Sequence, residues 1–432
     1  MSVLTSWLNK VVKVILLPVC IIYAPMLFAQ DTSYISLQQA FSLAEQNYPL
    51  IHQKDLLQQT EQLSIQNLNS NHLPQLMVNG QATYQSDVTT VNIPLPNVKF
   101  PIPTKDQYKV TAEADQLLFD GGVTKAQKDI QSLNTNVQEN SLAVELYNLK
   151  TRINQLYFTI LYQDELLNET DITLKNVQVG IDKVKPQVEN GVALRSNLLE
   201  LQAQYLQTQQ RAIEIKSTRK GLANALSVLI GQPILENTRL EMPPDYNVAD
   251  TTIRRPELQL YQSQSLLYAG QEKLIAARNL PKTSAFLQGG YGRPALNLFS
   301  NEFKPFYIAG VKLNWSLGGY YNFKRDKKLV EINQKTVDLQ KGVFLLNTQS
   351  QLEQQRADID KYAALVVSDN EIIQLRKQVT EAAKAQLENA VITTNDYLIQ
   401  VNVEDAARRS LVLHQLQLRQ AQINYAITTG QL

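Results

Sequence analysis

The sequence predicts an α+β membrane protein: a long α-helical barrel plus a transmembrane β-barrel, both shared between protomers and built on an internal tandem duplication. Three observations carry that prediction. The stretch from Tyr320 to about Asn389 has no proline and a single glycine, Gly342, so nothing forces the backbone out of one helix of about 70 residues, on the order of 100 Å long. Short segments elsewhere alternate apolar and polar residues with a period of two, at lengths that cross a bilayer when tilted. The same landmarks then recur in the same order through both halves of the chain.

Taken in order, residues 1–29 fit a secretory signal peptide: Lys10 and Lys13 precede the apolar run Val14 to Phe28, and Ala29 is a small residue before Gln30. A membrane anchor is the alternative, disfavoured by the short run and by Pro18 and Pro25 within it. Cys20 is the single cysteine; Leu17-Pro-Val-Cys20 leaves lipidation open, against the bulk of Val19. Removal of the signal would leave no thiol, which excludes disulfides and thiol chemistry. Lys plus Arg total 41 against 40 Asp plus Glu, a balance that gives no basic groove for nucleic acid.

The first repeat, residues 30–231, opens with a helix from Ser36 to Asn47 that places Leu37, Phe41 and Ala44 on one face, and a second from Leu50 to Asn71 between Pro49 and Pro74. From Met77 to Gln85 and from Tyr108 to Phe119 the period becomes two, which means strands. The intervening loop, with Pro94, Pro96, Pro101 and Pro103, is longer than ordinary connections. Gly121-Gly122 ends the strand, a long helix follows from Val123 to Lys185, and a turn at Glu189-Asn190-Gly191 leads to a returning helix from Leu194 to Ile230. Residues 232–255 read as an equatorial connection, after which 256–432 repeats the plan. Pro256, Pro281, Gln288 and Tyr291 match Pro49, Pro74, Gln81 and Tyr84; Gly318-Gly319 matches Gly121-Gly122; Glu388-Asn389 and Gly430-Gln431 match Glu189-Asn190 and Gly231-Gln232.

Along the second long helix, Ile332, Leu339 and Leu346, then Leu352, Ile359, Val366 and Ile373, recur every seven residues, the narrow seam of a coiled coil. Each long helix needs partners of its own length. For Val123–Lys185 these are Leu194–Ile230 and Leu258–Leu280; for Tyr320–Asn389 they are Asn395–Thr429 and Leu50–Asn71.

Four strands cannot close a membrane barrel, so the chain is expected to share one with copies of itself. The alternation assigns Tyr84, Val110, Tyr291, Tyr307, Val311, Leu313 and Trp315 to the membrane-facing side. It assigns Lys109, Thr111, Glu113, Asp115, Lys312 and Asn314 to a watery lumen, although Phe306 and Ile308 blur that face. His52, His72 and His414 are scattered without ligand spacing, so no catalytic centre, metal site or cofactor is expected. The rival reading is a soluble periplasmic coiled-coil adaptor or structural spacer.

At this point the chain resembles the TolC-like outer membrane efflux and secretion channels. The resemblance covers Ser36 to Gln431 and rests on the duplicated order of elements, the Phe119-Asp120-Gly121-Gly122 strand exit with its Leu317-Gly318-Gly319 counterpart, and the tip segments. It implies a homotrimer in the outer membrane of a Gram-negative bacterium, with a 12-stranded barrel and a helical barrel extending into the periplasm. It further implies a passive conduit of a tripartite efflux or type I secretion system, working with a periplasmic adaptor and an inner-membrane pump and carrying no cofactor. In the family the periplasmic entrance follows a Gly with an Asp six residues later. Here those positions are Gly191 with Asn197 and Ala390 with Asp396, so each half departs from the pattern. Asp396 is the expected carboxylate of a gate or of a helix cap, with Arg195 and Glu200 as candidate latching residues.

Overall fold

The computed structural model describes residues 34–90, 101–246, 248, 250–389 and 391–432. The signal segment 1–29 with Cys20, the prolines Pro94 and Pro96, and the entrance position Ala390 lie outside the described residues. The elements in chain order are β1 Tyr34–Ile35, α1 Leu37–Asn47, α2 Gln53–Asn69, β2 Gln75–Tyr84, β3 Asp106–Phe119, α3 Val123–Glu189, α4 Arg195–Ile230, β4 Arg239–Leu240, α5 Pro256–Arg278, β5 Lys282–Arg293, β6 Lys304–Asn314, α6 Tyr320–Glu388 and α7 Thr394–Thr429. From α1 onward the order helix, strand, strand, long helix, returning helix occurs twice, as the sequence repeat requires.

Local chemistry sets the boundaries. Ser36 opens α1 with a capping box: its hydroxyl accepts the Gln39 N–H at 3.3 Å while Gln39 Oε1 accepts the Ser36 N–H at 3.0 Å. At the exit of β3, Gly121 and Gly122 hold φ of +73° and +83°, a left-handed region that side-chain-bearing residues avoid. Asp120 fixes this turn by accepting the N–H groups of Gly122 at 2.8 Å and Thr124 at 2.6 Å. Burial works to raise its pKa, but the hydrogen bonds from Thr124 and Gly122 outweigh it and hold the carboxyl below the usual range. The first long helix runs past its expected end at Lys185 to Glu189, with Pro186 inside its last turn. That turn survives because the Pro186 carbonyl still accepts the Asn190 N–H at 3.0 Å.

The main core lies at the waist, where α1, α3, α4 and the end of α7 meet; Phe41, Ile153, Tyr157, Leu226 and Ile427 are buried there. The equatorial connection 232–255 contributes β4, which pairs in parallel with β1. Tyr157, fully buried, ties this ribbon to the core: its hydroxyl lies 2.7 Å from the carbonyl oxygens of both Ile35 and Glu241. Burial drives its pKa up.

Two expectations about helix pairing need correction. The first long helix, α3, has the expected partners α4 and α5, and α6 packs on α7; but α2 lies on α3, and α5 covers the upper part of α6. Within one chain, the predicted pairing of Leu50–Asn71 with the second long helix therefore does not form. The upper seam of α6 also shifts. Val330 and Val337 are buried at 6% and 5% exposure, whereas Leu339 and Leu346, read as seam residues, are 71% and 70% exposed. Lower down, Leu352 and Ile359 of the predicted seam are buried with Tyr425 and Ala421, while Val366 and Ile373 are half-buried. The upper helix carries two apolar stripes, and its own chain covers only one.

Candidate channel wall and entrance

The four long strands form one antiparallel sheet in the order β2-β3-β5-β6, leaving β2 and β6 as open edges. Its register sorts every side chain onto one of two faces. On one face, Val110 of β3 lies opposite Gly80 and Tyr291, and the rows continue through Val78, Leu287, Tyr307, Val311 and Leu313. This face is almost wholly apolar and unpartnered; Val78, Tyr307 and Leu313 are 74%, 77% and 70% exposed. Tyr84 shares it. Trp315 follows just beyond the end of β6, its indole N–H donating to the Asn279 carbonyl at 3.0 Å.

The opposite face gathers the polar residues into one network. Lys312 Nζ lies 2.6 Å from Glu113 Oε1 and 3.5 Å from Asp115 Oδ2. Gln288 donates to Glu113 at 2.9 Å and Ser284 to Asp115 at 3.3 Å. Thr111 and Lys109 lie on the same face, and Asn314 ends its last row opposite Lys282.

Sequence reading missed how Phe286 and Phe306 fit this polar face. Each ring lies across a glycine of the neighbouring strand: a Cβ on Gly290 would come within 2.5 Å of the Phe306 ring, and one on Gly310 within 2.9 Å of the Phe286 ring. A lysine then covers each ring, Lys109 at 4.9 Å from the Phe306 centroid and Lys312 at 4.3 Å from that of Phe286. The readable signal was the pairing of large aromatics with strand glycines, which fill each other's space across a sheet.

At the far end of the helices the two hairpin tips pack on each other through Val184, Leu201, Leu387, Tyr397 and Val401. Gly180 permits the contact, since a Cβ there would lie 3.2 Å from Leu201 and 3.5 Å from Tyr397. Burial raises the pKa of Tyr397. The tip turns are built alike, with the Val192 N–H donating to the Gln187 carbonyl at 2.8 Å and the Val391 N–H to the Gln386 carbonyl at 2.9 Å; Gly191 supplies the left-handed residue of the first at φ +71°.

The returning helices begin differently. Asp396 completes a capping box with Thr393: its carboxylate accepts the Thr393 N–H at 3.0 Å and hydroxyl at 2.6 Å, while the Thr393 hydroxyl accepts the Asp396 N–H at 3.2 Å. Those bonds, chiefly the one from the Thr393 hydroxyl, hold the Asp396 pKa below the ordinary value. In the first half Leu194 stands at the cap and offers no side-chain bond; Asn197 donates its backbone N–H to the Leu194 carbonyl at 3.0 Å. Arg195 and Glu200 are exposed and make no ion pair among the described residues.

Higher up, a second polar cluster joins the two hairpins. The buried Asp405 of α7 accepts the Thr173 hydroxyl of α3 at 2.7 Å and Arg211 of α4 at 3.2 Å, and pairs with Arg409 at 3.1 Å. Glu169, beside it, has a buried carboxylate oxygen without a partner; burial raises its pKa. His414, read as an ordinary surface histidine, instead has its Nδ1 2.5 Å from the Asp369 carboxylate and stacks on Tyr362. Among the described residues no group of three or more His, Cys, Asp or Glu is placed to hold a metal ion, and no helix is long and apolar enough to cross a membrane.

A sheet with one polar and one apolar face is continued by helices more than twice its length. The model of the outer membrane efflux protein family matches residues 40–232, less than half of the chain. Among solved structures, the outer membrane protein VceC from Vibrio cholerae superposes with a TM-score of 0.65 at 14% identity, covering 91% of this chain and 96% of that one. CusC gives 0.66 at 14%, covering 91% of each chain. The CmeC outer membrane channel of Campylobacter jejuni gives 0.63 at 12%, covering 91% and 85%. At such identities the likeness speaks for the fold. No curated protein sequence matches the chain.

Proposed function

We propose that this protein is the outer membrane channel of a tripartite efflux or type I secretion system of a Gram-negative bacterium, a passive conduit from periplasm to exterior driven by an inner-membrane pump. It performs no catalysis and needs no cofactor. The observation that carries the reading is the sheet: four strands, both edges open, one face apolar and unpartnered. In water such a face and such edges are aggregation sites. In lipid, open edges cost several kcal/mol for each stranded backbone group, so closure with further copies is required.

Three copies give twelve strands. The exposed stripe Leu329, Leu339, Val343 and Leu346 of α6 then meets the exposed Leu56 and Leu63 of α2 in the next protomer, which restores the pairing of Leu50–Asn71 with the second long helix across a subunit boundary. In this arrangement the apolar face with Tyr84, Val110, Tyr291, Tyr307, Val311, Leu313 and Trp315 contacts lipid, and Lys109, Thr111, Glu113, Asp115, Lys312 and Asn314 line the lumen. Residues 30–231 and 256–432 are the two repeats, joined by 232–255. Gly191, Arg195, Asn197, Glu200, Ala390 and Asp396 surround the periplasmic entrance, where an adaptor would dock.

Single-channel conductance of detergent-purified protein in a planar bilayer tests the reading. The expectation is a cation-selective conductance whose selectivity falls in Asp396→Asn; conductance with unchanged selectivity would leave Asp396 as a cap alone. Extraction of the protein from cells without detergent would instead favour the soluble spacer.

A further inference from the structure

The start of α6 carries a dense basic cluster. Its first turns read Tyr320-Tyr-Asn-Phe-Lys-Arg-Asp-Lys-Lys328, gathering four cations and the single carboxylate Asp326 into nine residues. Only part of this charge is answered by the protein. Lys327 pairs with Glu272 at 2.9 Å and Lys328 with Glu331 at 2.8 Å. Arg325 finds only the Asn322 side chain and the Tyr321 carbonyl, and Lys324 has no ion-pair partner among the described residues. All but Lys327 of these cations are exposed.

The duplication supplies an internal control. At the matching positions of the first repeat, 123–131, stand Thr124, Ala126, Gln127, Ile130 and Gln131, with two cations, Lys125 and Lys128, against four in the second. The fold therefore does not require a basic, aromatic helix start; the second repeat has acquired one.

Its place supplies the second observation. The segment begins five residues beyond Trp315, at the helix-side end of the apolar sheet face. Tyr320 and Tyr321 are 48% and 83% exposed, and Lys327 lies over the Phe323 ring. An apolar band, then tryptophan and tyrosines, then exposed lysines and arginine is the order of environments across a membrane interface.

We propose that Lys324, Arg325 and Lys328 form an anionic-phospholipid site at the periplasmic rim of the barrel, their charges meeting lipid phosphates beside Trp315. The proposal rests on the barrel reading above. A neutral or zwitterionic surface would leave the charge cluster unanswered; an anionic headgroup answers it.

The test uses the one tryptophan left in a Trp7→Phe background, Trp315. Protein is reconstituted into phosphatidylethanolamine vesicles containing the same minor fraction of chain-brominated phosphatidylglycerol or chain-brominated phosphatidylethanolamine. The anionic lipid is expected to quench Trp315 about twofold or more strongly than its zwitterionic counterpart. The preference should vanish in Lys324→Gln/Arg325→Gln/Lys328→Gln, and in wild type at about 1 M salt, where the screening length falls to about 3 Å. Equal quenching by the two lipids in wild type overturns the proposal. A triple variant that keeps the lipid preference but loses the trimer also overturns it, by assigning the cluster to a protomer seam. Absence of quenching by either lipid defeats the barrel reading instead.

Discussion

Asp405 is the point where the two hairpins of a protomer are held together by charge. Replacing it with alanine removes three bonds of unequal worth. The arginine partners Arg211 and Arg409 have side chains 43% and 35% exposed, so solvent screening leaves each pair at about 0.5 kcal/mol. The Thr173 bond is buried and charge-assisted, worth about 1.5–3 kcal/mol. The expected loss for Asp405→Ala is therefore about 2–4 kcal/mol, and for Thr173→Val about 1–2 kcal/mol. Because both substitutions remove the same bond, the double variant should fall short of the sum by about 1–1.5 kcal/mol. Urea unfolding of the solubilised protein at one fixed protomer concentration measures all four states. Strict additivity would refute the assignment, since two residues that touch at 2.7 Å cannot contribute independently.

The remaining expectations concern the glycine exit, the caps and Glu169. Gly121→Ala should cost more than about 3 kcal/mol, because its new Cβ would lie 2.8 Å from the Ala277 carbonyl oxygen and from Leu280 Cβ; Gly122→Ala, with open space around it, should cost only the left-handed penalty of about 1–2 kcal/mol, both read from thermal unfolding. Thr393→Val should lose about 1 kcal/mol with its cap, whereas Leu194→Ser should gain about as much by supplying the cap the first half lacks; hydrogen exchange of the first turns of α7 and α4 reports each. Burial raises the folded pKa of Glu169 above its ordinary 4.5. The folded state thus holds more protons than the unfolded one between those values, so stability falls as pH rises through that window and is complete below it. Glu169→Gln should flatten this part of the stability profile, and an unchanged slope would place its origin in another group.

Most of the architecture was legible because it rests on spacing. Absence of proline set the length of α6, period-two alternation found both hairpins, and the matched prolines and glycines revealed the duplication before any contact was known. What escaped depends on which neighbour covers a side chain. In upper α6 both Val330–Val337 and Leu339–Leu346 satisfy a helical period, and periodicity cannot say which stripe its own chain buries. Phe286 and Phe306 interrupt a polar face in sequence, yet each fills the space above a glycine on another strand, a relation set by register. The bond between His414 and Asp369 joins residues on different helices and left no local mark. Asp396, by contrast, sits three residues after Thr393 before an apolar run, a capping pattern fully readable in one dimension.

The unequal starts of α4 and α7 have a consequence for assembly. The repeats make a protomer nearly two-fold in plan, yet one tip presents a glycine turn and an uncapped leucine, the other a threonine locked to a carboxylate. In the proposed ring of protomers the ends would alternate in kind, so a docking protein would meet two sorts of groove in turn. A ligand that distinguishes them will saturate at one copy per protomer, and a ligand indifferent to them at two. On the proposed assembly, the stoichiometry of such a complex would turn on a single pair of residues, Leu194 and Thr393.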